Sequence, residues 1–366
     1  MKLALIADWL PTFGGAEHVI AEFHTLWPKA PIFTTVARHG RLGPLDQADI
    51  RVSHLQRWYR LLGRHEVLLP WMPRVIEAID LRAFDVVVSS SHAVAKGIIP
   101  PPSAVHVCYC HTPMRYAWEM EEEYLHDFRV PALLRRPVKR MLKRIRRWDL
   151  TTAKRVDHFI ANSTTTQERI SRVYGRESTV IPPPVGEHFF EQPLAATADR
   201  KGLLAIGRLV PYKRFDLLIE AANALKLSLT IAGTGSDFAR LKTLAGPTVT
   251  MLGYVADADL PDLYGHAHAL LLPQIEDAGV VPLEAQACGT PMIALRRGGV
   301  LDTVKENATG IFFEEQSVPA LHGALERFEH ATFDHDAIRE HARQFSSSRF
   351  KEKIAQAVHD AVARRA

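Results

Sequence analysis

The chain opens on an unbroken apolar run, Lys2-Leu-Ala-Leu-Ile-Ala-Asp8, followed by Gly14-Gly15 and then by Val19, Ile20, Phe23, Leu26 and Trp27 at helical spacing. Apolar residues that run on without alternating predict a strand covered on both faces, so the opening predicts a parallel strand, a glycine turn and a covering helix. Runs at residues 84–89, 105–110 and 158–161 continue the series, and a second series starts at 203–207 and continues through 227–232, 249–252, 269–273 and 291–294. Pro182-Pro183-Pro184 stands between the two, a stiff segment of the kind that joins domains. The alternation predicts an α/β protein with two Rossmann-like domains, residues 1–185 and 186–349, each with its own parallel sheet. Ser346-Ser-Ser-Arg-Phe350 predicts the cap of a last helix, about 350–366, with Phe350, Ile354 and Val358 on one face; it is expected to pack back on the first domain.

With 366 residues, 47% of them hydrophobic, the chain is long enough for two separate cores. No apolar run reaches the roughly 18 residues that span a bilayer, and the first strand is too short for a signal-peptide core, so a cytoplasmic location is expected. Cys108 and Cys110 share one side of a strand and Cys288 falls in a helix, so none has an evident disulfide role. Metal ligation by Cys108, Cys110 and His111 competes with the commoner reading of buried thiols.

The richest stretch for chemistry is Glu276-Asp-Ala-Gly-Val-Val-Pro-Leu-Glu284, where an apolar strand hands over to a helix. Pro282 suits the first helical position, and residues 279–283 would present backbone N–H groups and the positive end of a helix dipole to an anion. A diphosphate held at Gly279, Val280 and Val281 would lie between two carboxylates, Glu284 taking ribose hydroxyls and Glu276 a sugar. Against this stands the plainer reading that Glu284 offsets the helix dipole and Glu276 is a solvated loop residue. Arg208 follows the strand at 203–207 and Lys213 precedes a helix, so both cations are placed to meet a leaving diphosphate, although solvated basic loops are ordinary. Gly14 and Gly15 permit close approach of a phosphate or simply make a turn. His111 closes a strand on the side where open α/β sheets bind ligands. Gly233-Thr-Gly235 lacks the third glycine of a dinucleotide fingerprint, which excludes a nicotinamide enzyme. Asp257 and Asp259 are read as capping a helix near Leu260, and no metal or other cofactor is expected.

Taken together, Gly14-Gly15-Ala16-Glu17, His111-Thr-Pro, Ala161-Asn-Ser163, Gly207-Arg208 with Lys213, and the stretch from Glu276 to Glu284 resemble the large retaining glycosyltransferase family of the family 4 type, over essentially the whole chain. The resemblance implies the GT-B fold, two Rossmann-like domains facing across a cleft, and transfer of a sugar from a nucleotide-diphosphate donor. It implies Arg208 and Lys213 on the donor diphosphate, Glu284 on the ribose and Glu276 on the donor sugar. His111 would position the sugar, with the leaving phosphate as base and no enzymic nucleophile. His111-Thr-Pro-Met-Arg-Tyr-Ala-Trp118 looks like bacterial mannosyltransferases that use GDP-mannose in O-antigen or exopolysaccharide synthesis. The chain departs from that pattern at Ala278 and at Gln274-Ile275.

Net charge is only +4, but the stretch from Arg129 to Arg155 concentrates Arg135, Arg136, Lys139, Arg140, Lys143, Arg144, Arg146 and Arg147 against Asp149. On a helix these cations surround one face while Val138, Met141, Leu142, Ile145 and Trp148 share the other. Lys139, Arg140, Lys143, Arg144 and Arg147 are therefore candidates for contact with anionic lipid, against the alternative of a solvated surface helix. Nucleic acid is not an expected partner, since the stretch lacks a binding fold and its aromatic content is essentially Trp148. The leading expectation is α-mannosyl transfer from GDP-mannose to a lipid-linked glycan at the inner face of the cytoplasmic membrane. The alternatives are the same fold using UDP-glucose or UDP-N-acetylglucosamine, a sugar-nucleotide 2-epimerase, and a non-catalytic sugar-nucleotide-binding scaffold.

Overall fold

Apolar runs with no polar face become strands buried along their length. β1 (Leu3–Ala7), β2 (Ile32–Thr34), β3 (Ile50–Val52), β4 (Val86–Ser91), β5 (Val105–Cys110), β6 (His158–Ala161) and β7 (Ser178–Val180) pair in parallel in the order β3-β2-β1-β4-β5-β6-β7. β8 (Leu203–Ile206), β9 (Leu229–Ala232), β10 (Val249–Gly253), β11 (Ala269–Leu272), β12 (Met292–Leu295) and β13 (Gly310–Phe313) form a second parallel sheet in the order β10-β9-β8-β11-β12-β13. The computed structural model describes residues 1–118 and 131–365. The chain divides into two units, Met1–Pro182 with Lys351–Ala366, and Pro183–Phe350, each holding one of the sheets. Each unit is thus a Rossmann-like α/β layer structure, as the apolar runs predicted.

The strand order reverses where β1 lies beside β4 and where β8 lies beside β11. At such a point the loops leaving the strand ends diverge, which is where open α/β sheets take their ligands. Asp8, His92, Arg208 and Glu276 all follow these four strands.

The strand expected at 84–89 runs instead from Val86 to Ser91, extending the buried ladder through three serines. Their hydroxyls are paired, Ser89 Oγ with His106 Nε2 at 2.8 Å, Ser90 Oγ with His111 Nε2 at 2.8 Å, and Ser91 Oγ with Asp8 Oδ1 at 3.4 Å, so burial leaves none of these three unsatisfied. From Lys351 onward the last helix, Ser347–Ala363, belongs to the first unit, with Lys351 Nζ 3.4 Å from Glu22 Oε2, and just past its end the Arg365 guanidinium donates to the Asp157 carboxylate (2.7 Å) and the Pro102 carbonyl (2.6 Å).

The basic stretch is a helix over Ala132–Thr152; Arg129, with which that stretch begins in the sequence, lies outside the described residues. Leu142 and Ile145 are buried in the first unit, and Arg140, Lys143, Arg144 and Arg147 are exposed. Asp149 does not oppose these cations from the surface. It is fully buried and ion-paired with the equally buried Lys96, while Trp118 Nε1 and the Tyr174 hydroxyl each donate to its other oxygen at 2.8 Å. Arg146 also turns inward, its guanidinium donating to the carbonyls of Ala117 (2.6 Å) and Trp118 (3.1 Å). Buried charge is tolerated here because each group is paired and further hydrogen-bonded, and removing one partner strands the other. Asp149→Ala is expected to lower the stability of the first unit by about 3–5 kcal/mol. Urea unfolding followed by circular dichroism checks this; an unchanged midpoint would mean the pair contributes nothing.

Candidate functional site

In the second unit β8 is followed by Gly207, whose φ of 155° turns the chain; Arg208 is exposed, its Nη2 3.4 Å from the Tyr212 hydroxyl. Two glycines hold this turn. A Cβ at Gly233 (φ 136°) would collide with the Gly207 carbonyl, and one at Gly235 with the Leu209 carbonyl. The pair that fails as a dinucleotide fingerprint therefore serves to bring the loop after β9 against the loop carrying Arg208. Pro211–Lys213 forms a single 3-10 turn, and Lys213 Nζ lies 2.7 Å from Glu276 Oε1. Gln274 Nε2 donates to the same oxygen at 3.3 Å.

Glu276 is fixed by its backbone. Its carbonyl accepts the Gly299 N–H at 2.8 Å, and it forms a bridge with Gly298, which has φ 83° and no room for a Cβ against the same carbonyl. Gly279 stands beside it, with a Cβ position 3.4 Å from Glu276 Oε2. The helix that follows is Val281–Ala287, with Pro282 second rather than first. Pro282 has no N–H and the Leu283 N–H donates to the Val280 carbonyl at 2.8 Å, so of residues 279–283, expected to present amides to an anion, only Gly279, Val280 and Val281 remain candidates. Lys213, Glu276 and Gly279 are thus brought together, whereas Arg208 turns toward Tyr212. Glu284 accepts from the Tyr264 hydroxyl at 2.8 Å. Burial raises its pKa to about 7, Tyr264 holding it down and Asp257 pushing it up. Asp259 makes no side-chain cap to the helix Leu260–Gly265, a correction to the capping expectation, and Asp257 lies 3.2 Å from His188.

In the first unit His111 follows β5, its Nε2 2.8 Å from Ser90 Oγ. Burial, with His92 nearby, lowers its pKa to about 3, so it is a neutral imidazole that can hydrogen-bond a ligand without carrying charge. Asn162-Ser163 acts locally. Ser163 Oγ accepts the Thr166 N–H at 3.0 Å to cap the helix Thr164–Tyr174, and Thr166 Oγ1 donates to the His111 carbonyl at 3.2 Å. Gly14 and Gly15 begin the helix Gly15–Leu26. Neither has a positive φ, and a Cβ at Gly15 would meet nothing within 4 Å, so the fold itself does not demand glycine at Gly15.

A cluster that sequence reasoning missed lies alongside. Asp8 accepts the N–H groups of His92 (2.7 Å), Ala93 (3.1 Å), Val94 (2.6 Å) and Ala95 (2.5 Å), and its carboxylate is 3.0 Å from His92 Nδ1. Burial alone would raise its pKa, but His92 and these amides outweigh burial and hold it at about 2. For His92, burial is outweighed by Asp8 and Glu17, and its pKa is raised. Burial raises the pKa of Glu17. Asp8 reads in the sequence only as the end of an apolar run, and nothing singles out His92 among 18 histidines. Cys108 is buried, its pKa pushed up to about 12 by burial, and Cys110 is raised as well, so neither thiol is activated.

Residues 13–188 match the protein-family model Glycosyltransferase Family 4, and residues 187–345 match Glycosyl transferases group 1. A GDP-mannose-dependent alpha-(1-6)-phosphatidylinositol monomannoside mannosyltransferase of Mycobacterium tuberculosis is 30% identical over 192 residues, 44% of this chain and 50% of that protein. The chain spans about half the length of the curated relatives it matches. Among solved structures, sucrose-phosphate synthase from Thermosynechococcus elongatus superposes with a TM-score of 0.75 at 17% identity, over 99% of this chain and 100% of that one. HepE of Anabaena in complex with UDP-glucose superposes with a TM-score of 0.69 at 17% identity, over 98% and 100%. The fold is that of the GT-B glycosyltransferases.

Between the ordinary carboxylate value of 4.5 and about 7, native Glu284 keeps a proton that the unfolded chain has released, so it lowers stability as pH rises through that window and no further above it. Glu284→Gln is expected to remove this slope and to leave the protein more stable than wild type above pH 7. Melting curves of both proteins across the window check it; parallel pH profiles would place the carboxyl in contact with solvent.

Proposed function

We propose that this chain, each half of which matches a glycosyltransferase family model, is a retaining hexosyltransferase that uses a nucleotide-diphosphate sugar. The observation that carries the reading is the Lys213–Glu276 pair, 2.7 Å apart, with Gly279 beside it, its Cβ position 3.4 Å from Glu276 Oε2, just ahead of the helix start at Val280 and Val281. In the donor complex the diphosphate takes the charge of Lys213, with Arg208 and those amides completing its shell. Glu276 is thereby released to the sugar hydroxyls, and Glu284 accepts the ribose hydroxyls. Positive charge aimed at the leaving diphosphate is worth more in the departing state than in the bound one, which is the condition for catalysis. No nucleophile is required: the bond from C1 to the phosphate oxygen breaks, the acceptor oxygen joins C1 on the same face, and the acceptor proton passes to the leaving phosphate. His111, neutral and held by Ser90, positions the sugar.

The donor we favour is GDP-mannose, on the resemblance of residues 111–118 and on the named activity of the mycobacterial relative. The acceptor is a lipid-linked glycan of cell-surface polysaccharide synthesis, reached from the inner face of the cytoplasmic membrane with the basic helix on anionic lipid. No helix among the described residues is long and apolar enough to cross a membrane. A second reading, UDP-glucose as donor, is favoured by the UDP-glucose complex of HepE.

Arg208→Ala and Lys213→Ala are each expected to lower transfer of labelled mannose to a lipid acceptor by about tenfold or more, since each removes a charge-assisted contact of about 1.5–3 kcal/mol. Glu276→Ala should impair GDP-mannose binding while sparing GDP, and Glu284→Ala should weaken both. Undiminished turnover in a folded Arg208 and Lys213 double variant rejects the site. Because cations and amides stand in for a metal at the diphosphate, transfer is also expected to persist in excess chelator; a strict requirement for magnesium or manganese in the same assay contradicts it.

A further inference from the structure

Exposed large apolar side chains on a globular surface are usually scattered singly. Here five fall within residues 56–71: Trp58 (47% exposed), Leu61 (74%), Leu62 (49%), Val67 (46%) and Trp71 (55%). The segment is not short of inward anchors, since Leu55, Tyr59, Leu68, Leu69 and Met72 are buried in the core of the first unit. The helix Gln56–Leu62 therefore has two apolar faces, one spent on the core and one left to solvent. Arginines rim the outward face: Arg57, Arg60, Arg64 and Arg74 are exposed, and Glu66 is the one acidic residue between positions 56 and 74. The Arg57 guanidinium lies 5.7 Å from the Trp58 ring centroid.

This face adjoins the basic helix. Pro70 and Pro73, which flank Trp71, form one wall of a groove of about 430 Å³ whose other wall includes Arg140, Met141 and Arg144. The two prolines beside Trp71 and two cations of the basic helix thus line one groove. Tryptophan and leucine among arginines match the boundary between lipid headgroups and acyl chains, where aromatic rings settle and cations meet anionic phosphate.

We propose that residues 56–71 form an apolar wedge that enters the headgroup region of an anionic bilayer leaflet, with Trp58, Leu61, Leu62 and Trp71 inserted and the basic helix lying on the surface beside them. The proposal rests on the membrane reading of the basic helix and adds to it a component that salt does not screen. Electrostatic attraction fades within a Debye length of about 8–10 Å, whereas burial of apolar area does not depend on ionic strength in this way.

The test uses the full chain with vesicles of phosphatidylcholine alone or mixed with phosphatidylglycerol, some carrying brominated acyl chains, and reads co-sedimentation at rising salt and quenching of tryptophan fluorescence. Two variants are compared: Leu61→Gln, Leu62→Gln, Trp71→Gln for the wedge, and Lys139→Gln, Arg140→Gln, Lys143→Gln, Arg144→Gln for the charge. Wild type is expected to sediment with anionic vesicles, to be quenched by brominated lipid, and to keep part of its binding at high salt. The wedge variant should bind about tenfold more weakly at high salt and lose most of the quenching, with its affinity for GDP-mannose and its circular dichroism unchanged. If the wedge variant sediments like wild type and wild type shows no quenching while the charge variant falls off the vesicles, the wedge is wrong and the basic-helix reading stands. If wild type binds neither vesicle, both fall. Concentration-dependent dimerisation that the wedge variant abolishes, without vesicle binding, would assign the face to a second copy of the chain instead.

Discussion

The loops of the second unit that carry Arg208 and Glu276 are held to their neighbours by backbone approaches that only glycine permits. Gly233 and Gly235 lie against the carbonyls of Gly207 and Leu209, and Gly298 and Gly299 against those of Glu276 and Asp277. At each position a Cβ would collide with a carbonyl, so the loop carrying Arg208 and the loop carrying Glu276 are fixed by main chain rather than by long side chains with rotamer freedom. This rigidity gives the Lys213–Glu276 contact its meaning. Each side chain meets the other from a loop whose backbone is already placed, and the pair can be broken by a ligand without the loops losing their positions. Charge held in place in this way costs little reorganisation on binding an anion, which is what the proposed diphosphate site requires.

Burial sets opposite protonation states in the two units. Asp8 is fully buried yet stays ionised with a pKa of about 2, because four backbone N–H groups and His92 converge on it. Glu284 is raised to about 7 because a single tyrosine hydroxyl does not offset what burial takes away. Counting donors explains the difference. It also explains why Asp8 belongs to the framework, tying the end of β1 to the loop after β4, while Glu284 has acceptor capacity left for a ligand. The neutral state of His111 has the same origin: a desolvated ring beside His92 does not take up a proton.

Much of this was legible in the sequence, for a physical reason. The central strands β1, β8 and β11 are buried along their length and wholly apolar, and β5 and β6 carry only one histidine each, so their runs stand out in the sequence. β2, β3, β7 and β13 were missed because each has only three or four residues, and β3 and β7 lie at sheet edges with side chains partly in water. β4 was misplaced by two residues because buried serines satisfied by His106, His111 and Asp8 do not look like core. Glu276, Lys213 and Gly279 could be singled out since they follow strand ends. Gly298, Gly299 and Tyr264 could not, because their importance comes from contacts with residues distant in the chain or from backbone φ. Asp149 was misjudged for a related reason: an acid among cations on a helix reads as surface charge, and only the fold reveals Lys96 beneath it.

The central claim is that the loops after β8 and β11 bind a nucleotide-diphosphate sugar through Lys213. Thermal denaturation of wild type and of Lys213→Met, which keeps the length of the side chain and removes its charge, tests it most directly, with GDP-mannose, GDP, UDP-glucose and UDP as ligands. A ligand that binds only the native state raises the melting temperature with concentration. The account predicts that GDP-mannose stabilises wild type more than the uridine nucleotides do, and that Lys213→Met loses most of that shift. Equal stabilisation of the two proteins by GDP-mannose, or no stabilisation of wild type by any of the four nucleotides, would contradict it.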